Sequence, residues 1–103
     1  MTQIYQIGFD RTTYTEQHIR DAQNADDWPE DELQTVEVEP DEITVEGTPE
    51  GMRWLYDYFH HLKRAWRLEG EQTDAGVAEG MAKAIWRFTD GELPDQQRPR
   101  KHI

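Results

Sequence analysis

Asp57, His60 and His61 come nearest, by type and spacing, to a reactive group in this chain. An Asp and a His four apart share one face of a helix and can form an acid–base pair, whereas His60 points about 100° away. Zinc needs three or four ligands, and the pattern of two His four apart with a Glu between them is absent. The expectation is therefore an ordinary Asp57–His61 pair on a solvated face and no metal site. With 22 acids, paired-carboxylate catalysis can be imagined almost anywhere, so it discriminates nothing. No Gly-rich phosphate loop, nucleophile elbow or Ser/His/Asp arrangement can be read. The chain reads as non-catalytic, with no cofactor implied.

Charge is the more informative chemistry. The net charge is −11, and it is not spread evenly. Residues 1–46 hold thirteen acids against two bases, Arg11 and Arg20, while residues 47–103 hold nine of each. Between Asp26 and Glu46 stand ten acids (Asp26, Asp27, Glu30, Asp31, Glu32, Glu37, Glu39, Asp41, Glu42, Glu46) with no Lys or Arg. Such a segment attracts basic partners and repels nucleic acid and anionic membranes. It has three readings: a solvated charge run, adaptation to high salt, or imitation of a nucleic-acid backbone. The second is favoured by three lysines against eight arginines but should spread acids over the whole surface. For the third, same-face residues on a strand lie about 6.6 Å apart, so two paired strands offer charge positions at about 3.3 Å intervals. One DNA strand presents a phosphate about every 3.4 Å of axis.

The elements that must position these groups follow from period and punctuation. Thr48 to Gly70 is the clearest: Thr48 as N-cap, Pro49 at the first helical position, Glu50 at the positive end of the dipole and Gly70 as the stop. Met52, Leu55, Tyr56, Phe59, Leu62 and Trp66 recur at spacings of three and four, one stripe of an amphipathic helix. Thr73 is expected to cap a further helix to about Asp90, with Val77, Met81, Ala84, Ile85 and Phe88 inward. The short connection makes the two helices an antiparallel αα-hairpin, with Gly76 and Gly80 allowing close approach.

Upstream, Thr2 to Phe9 reads as a strand, and Thr13 or Thr15 is placed to cap a short helix to about Asn24 with Ile19 and Ala22 inward. Gln34 to Glu46 alternates as a hairpin closed at Pro40-Asp41, pairing Val38 with Ile43 and Val36 with Val45 on an apolar face. Glu39 then meets Glu42, Glu37 meets Thr44 and Thr35 meets Glu46 on an acidic face, and the like-charged pair is mildly unfavourable.

Arg53, His60, Arg64 and Arg67 form a basic stripe, expected to pair with the acidic half or with neighbours such as Asp57 rather than to bind phosphates. Trp54, Tyr58 and Trp86 fall off the inward stripes. With Trp28 beside the acids, such aromatics are the usual anchors of an interface.

With no cysteine, disulfides and thiolate sites are excluded, which suits a reducing cytoplasm. No apolar run approaches the ~18 residues of a membrane span, and no export signal is read. The expected organisation is one α+β domain over residues 1–92, a small antiparallel sheet packed on the αα-hairpin, followed by a flexible basic tail over residues 93–103. The expected function is to bind and block a basic, nucleic-acid-binding surface of a partner protein, as a monomer or homodimer. The partner-binding residues would be the ten acids together with Trp28, Trp54 and Tyr58. At the level of class only, a small acidic cysteine-free domain is similar to phage-encoded inhibitors of CRISPR or restriction systems, and to antidotes of nuclease toxins. A scaffold subunit binding through its αα-hairpin is the second reading. A small hydrolase using Asp57, His60 or His61 is the third.

Overall fold

The computed structural model describes residues 3–36 and 39–94. In chain order it contains β1 (Tyr5–Asp10), α1 (Thr13–Gln23), β2 (Leu33–Val36), β3 (Glu42–Gly47), α2 (Pro49–Leu68) and α3 (Gln72–Phe88). The architecture is α+β, a three-stranded antiparallel sheet in the order β1-β3-β2 with an αα-hairpin packed against it. The expected tail lies largely outside the described residues, as do Glu37 and Val38.

Strand β3 is central because its alternate residues Ile43 and Val45 are apolar and can be covered from both sides. Phe9 and Ile7 of β1 stand directly opposite them, and all four are buried. The hairpin register differs from the expected one by a single residue. Val36 faces Thr44, Thr35 faces Val45 and Gln34 faces Glu46, whereas alternation about Pro40-Asp41 predicts Val36–Val45 and Thr35–Glu46. Since side chains alternate with period two, this slip exchanges the faces of the whole arm. Leu33 (3 % exposed) and Thr35 turn inward, and Gln34 and Val36 turn outward. The cause lies at the start of β2. Leu33 is a better core residue than the half-buried Val36, and it sits against Gly47, where a Cβ would come to 2.5 Å from Leu33 Cδ2. The turn holds no Glu39–Glu42 cross-strand pair. Instead the Glu42 backbone N–H donates to Glu39 O at 3.3 Å.

Helix α1 is capped by Thr12, one residue before the expected Thr13. Its hydroxyl accepts from Thr15 N at 3.0 Å, and Thr15 Oγ1 accepts from Thr12 N at 2.9 Å. Thr15 thus completes a capping box rather than starting the helix. Ile19 and Ala22 are buried as expected, and so is His18. The His18 ring nitrogens reach Tyr14 O (2.7 Å) and Asp74 O (3.2 Å), joining α1 to the first turn of α3.

The cap of α2 is Thr48, whose hydroxyl accepts from Gly51 N at 3.1 Å and donates to Glu32 Oε1 at 2.7 Å. Met52, Leu55 and Phe59 are fully buried along the inward stripe, while Tyr56, Leu62 and Trp66 flank it half-buried. Gly70 follows the helix with φ +79°, the left-handed conformation that suits a residue without Cβ.

Helix α3 begins a residue before the expected cap. Glu71 holds the N-cap position without a side-chain bond, and Thr73 lies inside the first turn. The close-approach positions also differ. Nothing lies within 4 Å of where a Cβ would stand on Gly76 or Gly80. Both glycines face outward, and it is Ala75, Ala78 and Ala82 that are buried beside Met81 and Ile85. Phe88, expected inward, is 57 % exposed. The helix rotates toward its alanines because methyl groups, not hydrogens, fill the space against α2.

Candidate partner-binding surface

The acids of the N-terminal half divide into separate groups. Asp26, Asp27, Glu30 and Asp31 are exposed in the connection between α1 and β2, and Glu39 and Asp41 are exposed at the turn. Strand β2 runs between those two groups. Glu42 and Glu46 stand on the sheet face away from the helices, together with Asp10, which is opposite Glu42. Glu37 lies outside the described residues.

Glu46 is the best-held carboxylate of that face. Gln6 Nε2 donates to its Oε1 at 3.1 Å from one neighbouring strand, and Gln34 Nε2 donates to its Oε2 at 2.7 Å from the other. Neutral amides fix its orientation and leave its charge uncompensated. Glu42 folds its carboxyl over Gly8, where a Cβ would overlap Glu42 Cδ, and accepts from Thr44 Oγ1 at 3.3 Å. Alternation alone puts Gln34 on the apolar face with Val36, so the pair of amides flanking Glu46 becomes legible only in the observed register.

Four positions apart in sequence, Glu42 and Glu46 are about 13 Å apart along β3, and Thr44 stands midway. The described outer face therefore carries a dispersed negative field rather than a row of charges at phosphate spacing. At the lower edge of the sheet, Glu30, Asp31, Glu32 and Glu46 line a shallow hollow of about 170 Å³ with Ile4 and Thr48.

Ion pairing is concentrated elsewhere. Glu16 meets Arg11 (3.3 Å) and Arg20, Asp57 meets Arg53 (3.1 Å), and Glu79 meets Arg67 (3.0 Å) and Lys83 (3.6 Å). None of the described acids between Asp26 and Glu46 forms an ion pair with a described residue. Arg53 and Arg67 of the basic stripe are thus satisfied by the neighbouring Asp57 and by Glu79 of α3, not by the acidic half.

The Glu16 carboxyl is held down to about 2 from its ordinary 4.5 by hydrogen bonds from Arg11 and then Arg20. A carboxyl lowered on folding stabilises the protein above its unfolded-state value and loses that contribution as pH falls toward the folded one. Glu16→Gln is therefore expected to flatten the fall in melting temperature between pH 4.5 and about 2. An unchanged acid limb in thermal scans would contradict it.

Three predicted aromatics do converge. Trp28 meets Trp54 edge to face, with centroids 5.6 Å apart and planes at 85°, and Trp54 stacks on Tyr58 at 5.3 Å and 14°. Trp54 Nε1 donates to Asp27 Oδ2 at 3.1 Å, so residues from the acidic loop and from α2 form one half-buried cluster. Burial raises the Tyr58 hydroxyl above its ordinary value, and the negative fields of Asp21 and Asp27 push the same way. Trp86, the fourth expected anchor, packs instead with Tyr56 (5.6 Å) on the other flank of α2.

The Asp57–His61 pair does not form. Asp57 is engaged by Arg53, His60 lies edge-on to Tyr56 at 4.5 Å, and His61 is exposed. Burial, followed by the positive charge of Lys63, lowers the His60 pKa, against the opposing pull of Asp57. Among the described residues no group of three His, Asp or Glu is placed to hold a metal ion. Nor is any described helix long and apolar enough to cross a membrane. Compared with protein-family models, with curated proteins and with solved structures, the chain matches none.

Proposed function

We propose that this protein is a non-catalytic acidic binder that covers a basic surface on another protein and keeps nucleic acid away from it. The observation that supports this is the uneven ion pairing described above. Arg53, Arg67 and Lys83 are matched locally, while the described acids from Asp26 to Glu46 have no cation among the described residues. Uncompensated carboxylates concentrated in one half of the chain steer a basic partner and speed its encounter by ten- to a thousandfold at low salt. The aromatic cluster beside Asp27 then supplies short-range contact area. Inhibitors of CRISPR or restriction complexes and nuclease antidotes use this chemistry, and cytoplasmic action is part of the proposal. The dispersed spacing of Glu42 and Glu46 favours attraction by the overall field over copying of a phosphate row.

The test is displacement of a fluorescent DNA duplex from basic DNA-binding proteins of a host lysate at about 50 mM salt, where charge is weakly screened. The unmodified chain should displace it, and the triple variant Glu39→Gln, Glu42→Gln, Glu46→Gln should need roughly tenfold more protein, since removing three charges weakens the steering field. Equal displacement by both would remove the acidic surface from the mechanism. A scaffold role for the αα-hairpin draws on one observation, the exposure of Trp86 (47 %) and Phe88 (57 %) on α3. In that case Trp86→Ala and Phe88→Ala, not the acid variant, abolish partner capture.

A further inference from the structure

Among the described residues, one aromatic seat is filled by an arginine and another stands without a cation. Arg53 lies over the Tyr56 ring at 5.6 Å on one flank of α2, and Asp57 binds its Nε at 3.1 Å. Trp28, Trp54 and Tyr58 form the second group with Asp27 bonded to the Trp54 indole. Aromatic faces and a carboxylate stand together in both. Among the described residues no cation lies over the second set of rings, and Asp21, Asp26 and Asp27 have no ion-pair partner.

We propose that Trp28, Trp54, Tyr58 and Asp27 form a seat for an arginine side chain of the basic partner. The inference rests on the reading of the acidic side as the partner-facing one, and it names the group recognised there. Ring faces attract cations through their quadrupole, and the attraction grows where nearby carboxylates add negative potential. Asp21 and Asp27 supply that potential; burial first, and then these two charges, raise the Tyr58 hydroxyl. Between the two basic side chains the geometry selects arginine. A guanidinium is planar, stacks on an aromatic ring and presents N–H groups at its edge to a carboxylate, whereas an ammonium is compact and strongly hydrated. Asp27 gives Oδ2 to Trp54, which pins the ring, and Oδ1 has no partner among the described residues. The arrangement reproduces, between molecules, what Arg53, Tyr56 and Asp57 already do within this one.

The full chain, labelled with nitrogen-15, is titrated at about 50 mM salt with three blocked tetrapeptides, one of arginine, one of lysine and one of citrulline, which is neutral but similar in shape to arginine. The four tryptophans give four indole N–H signals, of which Trp66 and Trp86 are internal controls. The arginine peptide should shift Trp28 and Trp54 saturably, the lysine peptide at about tenfold higher concentration and the citrulline peptide not at all. Tyr58→Leu should weaken the arginine response about tenfold, and Trp28→Phe, which keeps a ring, should preserve most of it. Equal responses to arginine and lysine, or shifts that are as large at Trp66 and Trp86, overturn the proposal. Equal DNA displacement by the acid triple variant alongside an intact arginine preference would condemn the blocking function and leave the seat standing. Normal, charge-dependent displacement without arginine preference would do the reverse.

Discussion

Phe59→Ala is expected to lower the folding free energy by about 3–5 kcal/mol, the range for deleting a buried aromatic ring from a core that cannot collapse onto the gap. Phe59 has no exposed surface and stands midway along α2. It belongs to the cluster that joins Ile7 and Val45 of the sheet, Ile19 of α1 and Ile85 of α3. Its neighbours are held by the sheet on one side and α3 on the other, so relaxation is limited and the cavity term adds to the lost transfer energy. In a chain of this size each kcal/mol moves the melting temperature by roughly 4–8 °C, so a drop of more than about 10 °C should be measured. Phe59→Leu, nearer in volume, should cost less than about 1.5 kcal/mol. A urea series in which both variants lose the same small amount would show that this ring does not sit at the junction of the layers.

The second large effect is a reversal of sign between glycines. Gly80→Ala lies in the interior of α3 with open space where the methyl would stand. It should stabilise the protein by about 0.5–1 kcal/mol through the restricted unfolded chain and better helix propensity. Gly51→Ala, also helical, should destabilise it by about 1–3 kcal/mol, the usual cost of overpacking. A methyl at Gly51 would overlap the Glu32 carbonyl oxygen and come within 2.9 Å of Leu33 Cγ. That carbonyl cannot move freely, since it accepts from Thr48 N at 3.0 Å while Leu33 is committed to the core. Denaturation midpoints of the two variants should therefore fall on opposite sides of the parent. If Gly51→Ala stabilises like Gly80→Ala, the close packing of α2 on the start of β2 is wrong.

These two glycines show where the sequence is readable. The αα-hairpin and the start and stop of α2 are legible because the signals are local: Thr48, Pro49 and Gly70 act within a turn of themselves, and the apolar stripe repeats over twenty residues. Gly76 and Gly80 have the spacing of packing contacts and are not, because spacing alone does not say which of two neighbouring stripes meets α2. Phe88 turns outward for the same reason. Thr12 stands beside two other threonines, all competent to cap, and the choice among them turns on which backbone N–H the β1–α1 connection presents.

At the candidate site, composition and order alone determined the concentration of acids between Asp26 and Glu46 and the presence of Trp28, Trp54 and Tyr58, since charge and residue type need no coordinates. The tertiary structure decided which of them act together. Alternation specifies two faces for a strand but not which face is inward, and a single buried Leu33 against Gly47 reversed the expected arm and placed Gln34 rather than Thr35 beside Glu46. The meeting of Asp27 with Trp54, 27 residues away in the chain, follows from packing between the α1–β2 connection and α2. No periodicity records that contact, because it depends on how two elements dock rather than on how either one forms.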